Sequence, residues 1–376
     1  MHTNISEQGV TIQPTNDTYR AIKGVRLSEG SLQGNGYILQ ERLSALENEI
    51  EFSFFPNLEG PLFFVFGFRG VGNHYRLEFD PNCGRVFLQR FRDGMPVYLQ
   101  HAAFPFNDRA PIRIRWSRVS IRIHLGELCI LNVLAGEIKE GRWGFAGNGR
   151  DIPIPAVTVS HLPPSTFEWI ILGDGYSNNR WKNREFYSWP ELAFGDKSNY
   201  LNACVAAGNT RRVLEIVRQI NSTFKGSRVI LAVGADDFME GEPFPEILER
   251  LREIVALIRS YGALEVHLCS LAPKPKFTVD LSALNTLFAE FSTQDCDSWI
   301  DFNSLWSDHS TGLLVHGDYP GPDAQRAMAT EVLRHFQMEP RLAALDWMVR
   351  APRLGGLTQR LAARINGELD HLLGRF

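Results

Sequence analysis

A few side chains in the second half of this chain are of the kinds that move or direct protons: Asp174, Asp236, Asp237, His316, Asp318 and Tyr319. Carboxylates, an imidazole and a phenol gathered at one place are the reagents of general acid–base chemistry, and crowding of like charges would raise one carboxyl pKa. Asp174 lies where an apolar run, Trp169-Ile170-Ile171-Leu172, ends abruptly in Gly173-Asp174-Gly175. That is how a buried parallel strand ends when it hands a loop to the carboxyl edge of a sheet. Gly175 leaves room there for a ligand or a water. Ser177 follows in the same loop and reads either as a nucleophile or as a loop or N-cap serine. For Asp174 and Asp237 a role in the pocket and a bond to the backbone amides of their own loops remain equally open.

The elements that must position these groups change character along the chain. Residues 1–162 read as short strands rich in β-branched and aromatic residues, among them NEIEFSFFPNL, PLFFVFGFRG, HYRLEFD, GRVFLQRF and ELCILNVL. Arg113-Ile114-Arg115-Trp116 and Ile121-Arg122-Ile123-His124 alternate strictly, placing apolar and basic side chains on opposite faces. DPNCG, RDG and LGE punctuate these runs as hairpin turns do. Many short strands and no long helix predict an all-β sandwich. After Pro163-Pro164 the period changes: apolar strands alternate with amphipathic segments such as TRRVLEIVRQI and PFPEILERLREIVALIRSYG. Repeated β-α predicts a doubly wound parallel sheet over 167–337, with its site at the strands' carboxyl ends. LAALDWMV and LTQRLAARINGELDHLL, in 338–376, predict a helical extension that packs on the sheet or on a second subunit.

Five segments of residues 167–337 resemble, in order, the SGNH/GDSL hydrolase family, and the first half resembles concanavalin/laminin-G-like sandwiches. In the hydrolase family a serine follows Gly-Asp, a glycine and an asparagine on two later loops help form an oxyanion hole, and an Asp-x-x-His pair precedes the last helix. Here Gly173-Asp174-Gly175 matches the first segment with glycine at the serine. SWPELAF matches the helix that follows it. Asn202 to Gly208 matches the second segment, keeping Gly208. Val233-Gly234-Ala235-Asp236-Asp237 puts Asp236 at the asparagine. His316-Gly317-Asp318-Tyr319-Pro320-Gly321-Pro322 puts His316 at the aspartate and Tyr319 at the histidine.

The resemblance therefore implies the fold of a serine hydrolase without its triad. A glycine has no oxygen to attack with, and an ionised Asp236 would repel an oxyanion. The expected chemistry is acid–base, carried by Asp236, His316 and Tyr319 on a small molecule or glycan, with Asp174, Gly175, Ser177, Arg180, Gly208 and Asp237 lining the pocket. Two alternatives stand beside it. One is a non-catalytic binder of a carbohydrate or acyl ligand. The other is an esterase with a displaced nucleophile, Ser177 or Ser188, served by His316 with Leu313 in the orienting position. Arg180 and Arg184 would receive an anionic substrate group or neutralise a buried aspartate.

Composition bounds the rest. A chain of 376 residues exceeds one ordinary core, and 44% hydrophobic with 22% charged content is that of a globular protein. A formal charge of −4 gives no reason to expect nucleic acid. The first residues, MHTNISEQGVTIQPTND, are polar, and no apolar run approaches a membrane span, so a cytoplasmic protein without leader or membrane contact is expected. Cys83, Cys129, Cys204, Cys269 and Cys296 are scattered, which predicts reduced thiols and no metal or cofactor. A homo-oligomer joined through the C-terminal helices is the expected assembly.

Overall fold

The computed structural model describes residues 10–12, 19–22, 25–28, 31–40, 48–53, 60–103, 111–117, 119–126, 128–134, 141–161, 166–177, 188–195, 199–205, 208–272, 281–307, 314–315 and 319–338. Most of its regular structure is β-sheet. The first half contributes β1 (Val10–Ile12), β2 (Tyr19–Ile22), β3 (Val25–Ser28), β4 (Ser31–Gln40), β5 (Asn48–Phe52), β6 (Leu62–Gly70), β7 (Asn73–Asp80) and β8 (Arg85–Arg92). It continues with β9 (Met95–Ala103), β10 (Ile112–Trp116), β11 (Ser120–Leu125), β12 (Leu128–Leu134), β13 (Arg142–Asn148), β14 (Ile152–Pro153) and β15 (Val157–His161).

These strands form two antiparallel sheets, one ordered β1-β15-β5-β10-β11-β12 and the other β14-β4-β13-β6-β7-β8-β9 with β2 and β3 on β4. One apolar cluster holds residues of both, including Phe52, Ile112, Ile114 and Trp116 of the first and Phe64, Phe66, Leu77 and Phe145 of the second. Alternation explains why. In β10 Ile112, Ile114 and Trp116 are buried while Arg113 and Arg115 are half-buried on the other face, where Arg115 pairs with Glu49 across β5. Of the strands up to residue 40, β3 shows the same alternation, with Val25 and Leu27 buried and Arg26 and Ser28 exposed.

The second half holds β16 (Trp169–Gly173), α1 (Trp189–Phe194), β17 (Tyr200–Asn202), α2 (Thr210–Gln219), β18 (Arg228–Ala232), α3 (Ala235–Met239), α4 (Phe244–Ser260) and β19 (Glu265–Cys269). It ends with α5 (Ser282–Asp295), β20 (Ser298–Ile300), α6 (Ser304–Ser307), the short pair β21 (Leu314–Val315) and β22 (Tyr319–Pro320), and α7 (Pro322–His335). The order β17-β16-β18-β19-β20 is parallel throughout. Every residue of β16, an interior strand between β17 and β18, is buried, as a strand covered on both faces requires. Apolar residues of α2, α4 and α5 share a second cluster with one face of this sheet. The opposite face, with α1 and α7, belongs to the same cluster as the antiparallel sheets.

The two halves therefore share a core. Arg122 of β11 is buried under the second half, with its Nη1 donating to Asn199 Oδ1 at 2.6 Å and its guanidinium 5.2 Å from the Phe167 ring. Asn132 Nδ2 donates to Tyr200 O at 2.8 Å, and Cys129 N to Gly195 O at 2.6 Å. The basic face of β11 is thus an internal contact. All five cysteines are free thiols. Among the described residues no helix is long and apolar enough to cross a membrane. The predicted helices beyond residue 338 lie outside the described residues.

Candidate functional site

The loop after β16 is fixed by close backbone packing. Asp174 N donates to Ala232 O at 3.2 Å, and a Cβ on Gly173 would stand 2.6 Å from that same oxygen. A Cβ on Gly208 would stand 2.6 Å from Gly173 O and 3.0 Å from Asp174 Cα. Only glycine permits this approach, which brings the loop after β17 against the first loop. Asp174 Oδ1 accepts from Tyr176 N at 2.9 Å, and Ser177 N donates to Asp174 O at 3.2 Å, so the aspartate closes its own turn. Asp174, Gly175, Tyr176 and Ser177 are all buried.

Both candidate serines are held inside the protein. Ser177 is fully buried, and its Oγ accepts from Trp189 Nε1 at 2.9 Å and hydrogen-bonds with the Cys204 thiol. Ser188 is also fully buried and donates to Glu191 Oε2. Glu191 Oε1 accepts from Asn202 Nδ2 at 2.9 Å, and the same amide donates to Ser177 O at 3.2 Å. Gln325 on α7 accepts from Trp189 N at 2.6 Å and donates to Tyr176 O at 3.0 Å. One buried polar network thus ties the first loop to α1, β17 and α7, with each bond standing in for water that the core excludes.

Burial sets the charges of this network. It pushes the Glu191 carboxyl up to about 8, against the opposing effect of the Asn202 hydrogen bond, so Glu191 is predominantly protonated at neutral pH. Burial, and then the Asp174 charge, hold the Cys204 and Cys269 thiols well above their ordinary range. Neither offers a thiolate.

On the third loop Gly234 has φ of 120°, and a Cβ there would meet Phe288 Cζ at 2.6 Å. The short helix α3 that follows separates the two aspartates. Asp236 remains half-buried in its first turn. Asp237 is fully buried: it accepts from Thr210 N at 2.8 Å and from the Thr210 hydroxyl, and pairs with Arg250 Nη2 at 3.3 Å. Asp237 therefore anchors α3 to α2 and α4, and its amide partner lies on α2 rather than in its own loop. Successive helical residues point about 100° apart, which sends one aspartate inward and leaves its neighbour at the edge.

Tyr319 lies on β22, paired with Val315. His316 and Arg180, with Asp318 and Arg184, lie outside the described residues. The structure thus brings Asp174, Gly175, Ser177 and Gly208 together and turns Asp237 away into a helix contact. Among the described residues no three His, Cys, Asp or Glu side chains are grouped to hold a metal ion.

Sequence reasoning missed Glu191 and Gln325. The signal was a polar residue in an otherwise apolar pattern. All six residues of α1 are buried with Glu191 among them, and Gln325 sits in the buried stripe of Ala324, Met328, Ala329 and Val332 on α7.

No family model matches the chain, and no curated protein matches it. Among solved structures it is similar over 45% of its length to 97% of a lipolytic protein of the G-D-S-L family from Veillonella parvula, at 16% identity and a TM-score of 0.40. It is similar over 89% of its length to 92% of the protein YxiM from Bacillus subtilis, at 13% identity and a TM-score of 0.43. Over 38% of its length it is similar to 92% of a carbohydrate-binding module from Bacillus subtilis, at 13% identity and a TM-score of 0.30.

Proposed function

We propose that this chain is an SGNH-hydrolase-like protein that no longer uses a serine. In this reading a β-sandwich over 1–162 accompanies an α/β unit over 167–337 and a helical extension over 338–376. Its sheet-edge pocket acts on a small molecule or glycan by acid–base chemistry through Asp236, His316 and Tyr319. The observation that supports the reading is the state of the nucleophile position. It holds a buried glycine, Gly175, while Ser177 and Ser188 are fully buried and hydrogen-bonded to Trp189 and Glu191. Serine attack requires an exposed oxygen beside a base. Asp236, half-buried at the start of α3, is the carboxylate that stays at the edge.

A second reading, recognition of a carbohydrate or acyl ligand without turnover, is favoured by the burial of the whole turn 174–177. A cytoplasmic protein that self-associates through its C-terminal helices fits either reading.

Two assays test the proposal. The protein should leave short-chain aryl esters at background hydrolysis and resist a fluorophosphonate probe; labelling at Ser177 or Ser188 would restore the esterase reading. A panel of simple sugars and short acyl esters should then yield a ligand by thermal shift. If Asp236→Asn abolishes its turnover while binding persists, the acid–base reading stands. Binding with no turnover by the native protein would replace it with the second reading.

A further inference from the structure

Where β19 pairs with β20, at residues other than those assigned to the pocket, a serine bridges two histidines. Ser298 Oγ lies 2.8 Å from His267 Nδ1 and 2.7 Å from His335 Nε2. His267 is buried on β19, and His335 is the half-buried last residue of α7. Their rings meet edge-on at 6.3 Å, and Phe336 packs on both His267 at 4.7 Å and Trp169 at 4.6 Å. A hydroxyl has one hydrogen to give, so one imidazole must accept it while the other donates to the oxygen. Two neutral rings of complementary tautomer meet that demand. Two imidazolium rings do not: both would donate to one oxygen, its hydrogen would lose its acceptor, and two cations would face each other.

The other end of α7 carries Gln325, whose amide holds Tyr176 O and Trp189 N. About 15 Å of continuous helix joins the histidine bridge to the loop that contains Gly175. We infer that His267, Ser298 and His335 form an acid-released latch, in which protonation of both imidazoles unseats the end of α7 and slackens the Gln325 clamp on the first loop. This goes beyond the proposed function and applies equally to a pocket that binds and to one that turns over.

Each element packed on the pair brings its own charges. Glu265, on the same strand, has Oε2 at 3.3 Å from His267 Nε2, but is itself paired to Arg228 of β18 at 3.1 Å. Asp297, beside β20, is paired to Arg259 of α4 at 3.1 Å. On α7, Glu331 favours the charged form of His335 and Arg334 opposes it. Burial is the largest influence on both rings and lowers both below the usual histidine range, with each carboxylate only partly opposing it. The folded protein therefore prefers both rings neutral. That preference is fully satisfied above about pH 6.5 and is lost as pH falls through the folded values. Glu191 cannot mimic the effect, because acidification favours its buried neutral form.

Amide hydrogen exchange of the full chain, corrected for intrinsic rates, tests the latch between about pH 7.5 and about pH 5. In the native protein, peptides covering 322–338 and 174–177 should both open about tenfold more often at the acidic pH. His335→Gln keeps a donor to Ser298 and cannot charge, so only His267 still titrates and the variant's exchange should change by about threefold or less. A merely structural bridge would instead leave native α7 unaffected by pH, or make the variant fall as far as the native protein; either overturns the inference. Should His335→Gln not fold, imidazole titration by NMR decides. Amide shifts of α7 must follow the second histidine protonation, and shifts that ignore it refute the latch.

Discussion

Replacing Glu191 by glutamine should make the protein more stable above neutral pH and leave it nearly unchanged in mild acid. Glu191 is fully buried and accepts from Asn202 and Ser188, and its carboxyl moves from an ordinary 4.5 up to about 8. The sign follows from linkage. The raised folded pKa means the native state holds a proton that the unfolded chain releases. Its stabilising effect is complete below about pH 4.5 and drains away as pH rises to about 8. At about 1.4 kcal/mol per pH unit, that window amounts to about 5 kcal/mol. Glutamine keeps an oxygen for the Asn202 amide and offers an N–H to the Ser188 hydroxyl, without any proton to lose. Urea unfolding of both proteins at intervals across this range reads the difference directly. The two stabilities should agree within about 1 kcal/mol at the acidic end, then diverge by several kcal/mol in favour of the variant. Other titrating groups cancel in that difference. Parallel curves would mean that Glu191 is ionised in the fold, or hydrated, and that the buried network is misread.

Three further outcomes check the packing of the site. Asp237→Ala should cost about 1–3 kcal/mol, because it leaves the buried Thr210 amide without its acceptor while Arg250 keeps Glu242 at 3.1 Å; thermal or urea unfolding measures it. Gly208→Ala forces a methyl to 2.6 Å from Gly173 O and should destabilise by about 1–3 kcal/mol, with the first loop the segment that loses hydrogen-exchange protection. Ser177→Ala removes the acceptor of a buried indole N–H and should cost about 1–3 kcal/mol in unfolding free energy. The same variant should leave ester hydrolysis at its background level.

Much of this protein is written locally. The all-apolar run at 169–172 closed by Gly-Asp-Gly becomes an interior parallel strand, and the helical spacing of TRRVLEIVRQI becomes α2. Such features need only neighbouring residues to decide them: a strand covered on both faces must be apolar throughout, and a helix on a sheet must repeat every three or four residues. The missing serine was equally plain, since no fold can give Gly175 an oxygen.

Other features depend on partners far away in sequence. Adjacent aspartates look alike, yet the turn of α3 buries Asp237 against Arg250 and leaves Asp236 at the edge. Arg122 reads as the polar side of an alternating strand until Asn199 and Phe167 cover it. Glu191 reads as an ordinary helix carboxylate until Asn202, from a strand eleven residues on, meets it inside the core. Sequence pattern reports which side chains can be buried. Which buried polar group meets which partner, and so which form of it carries charge, is decided only where packed elements close off water.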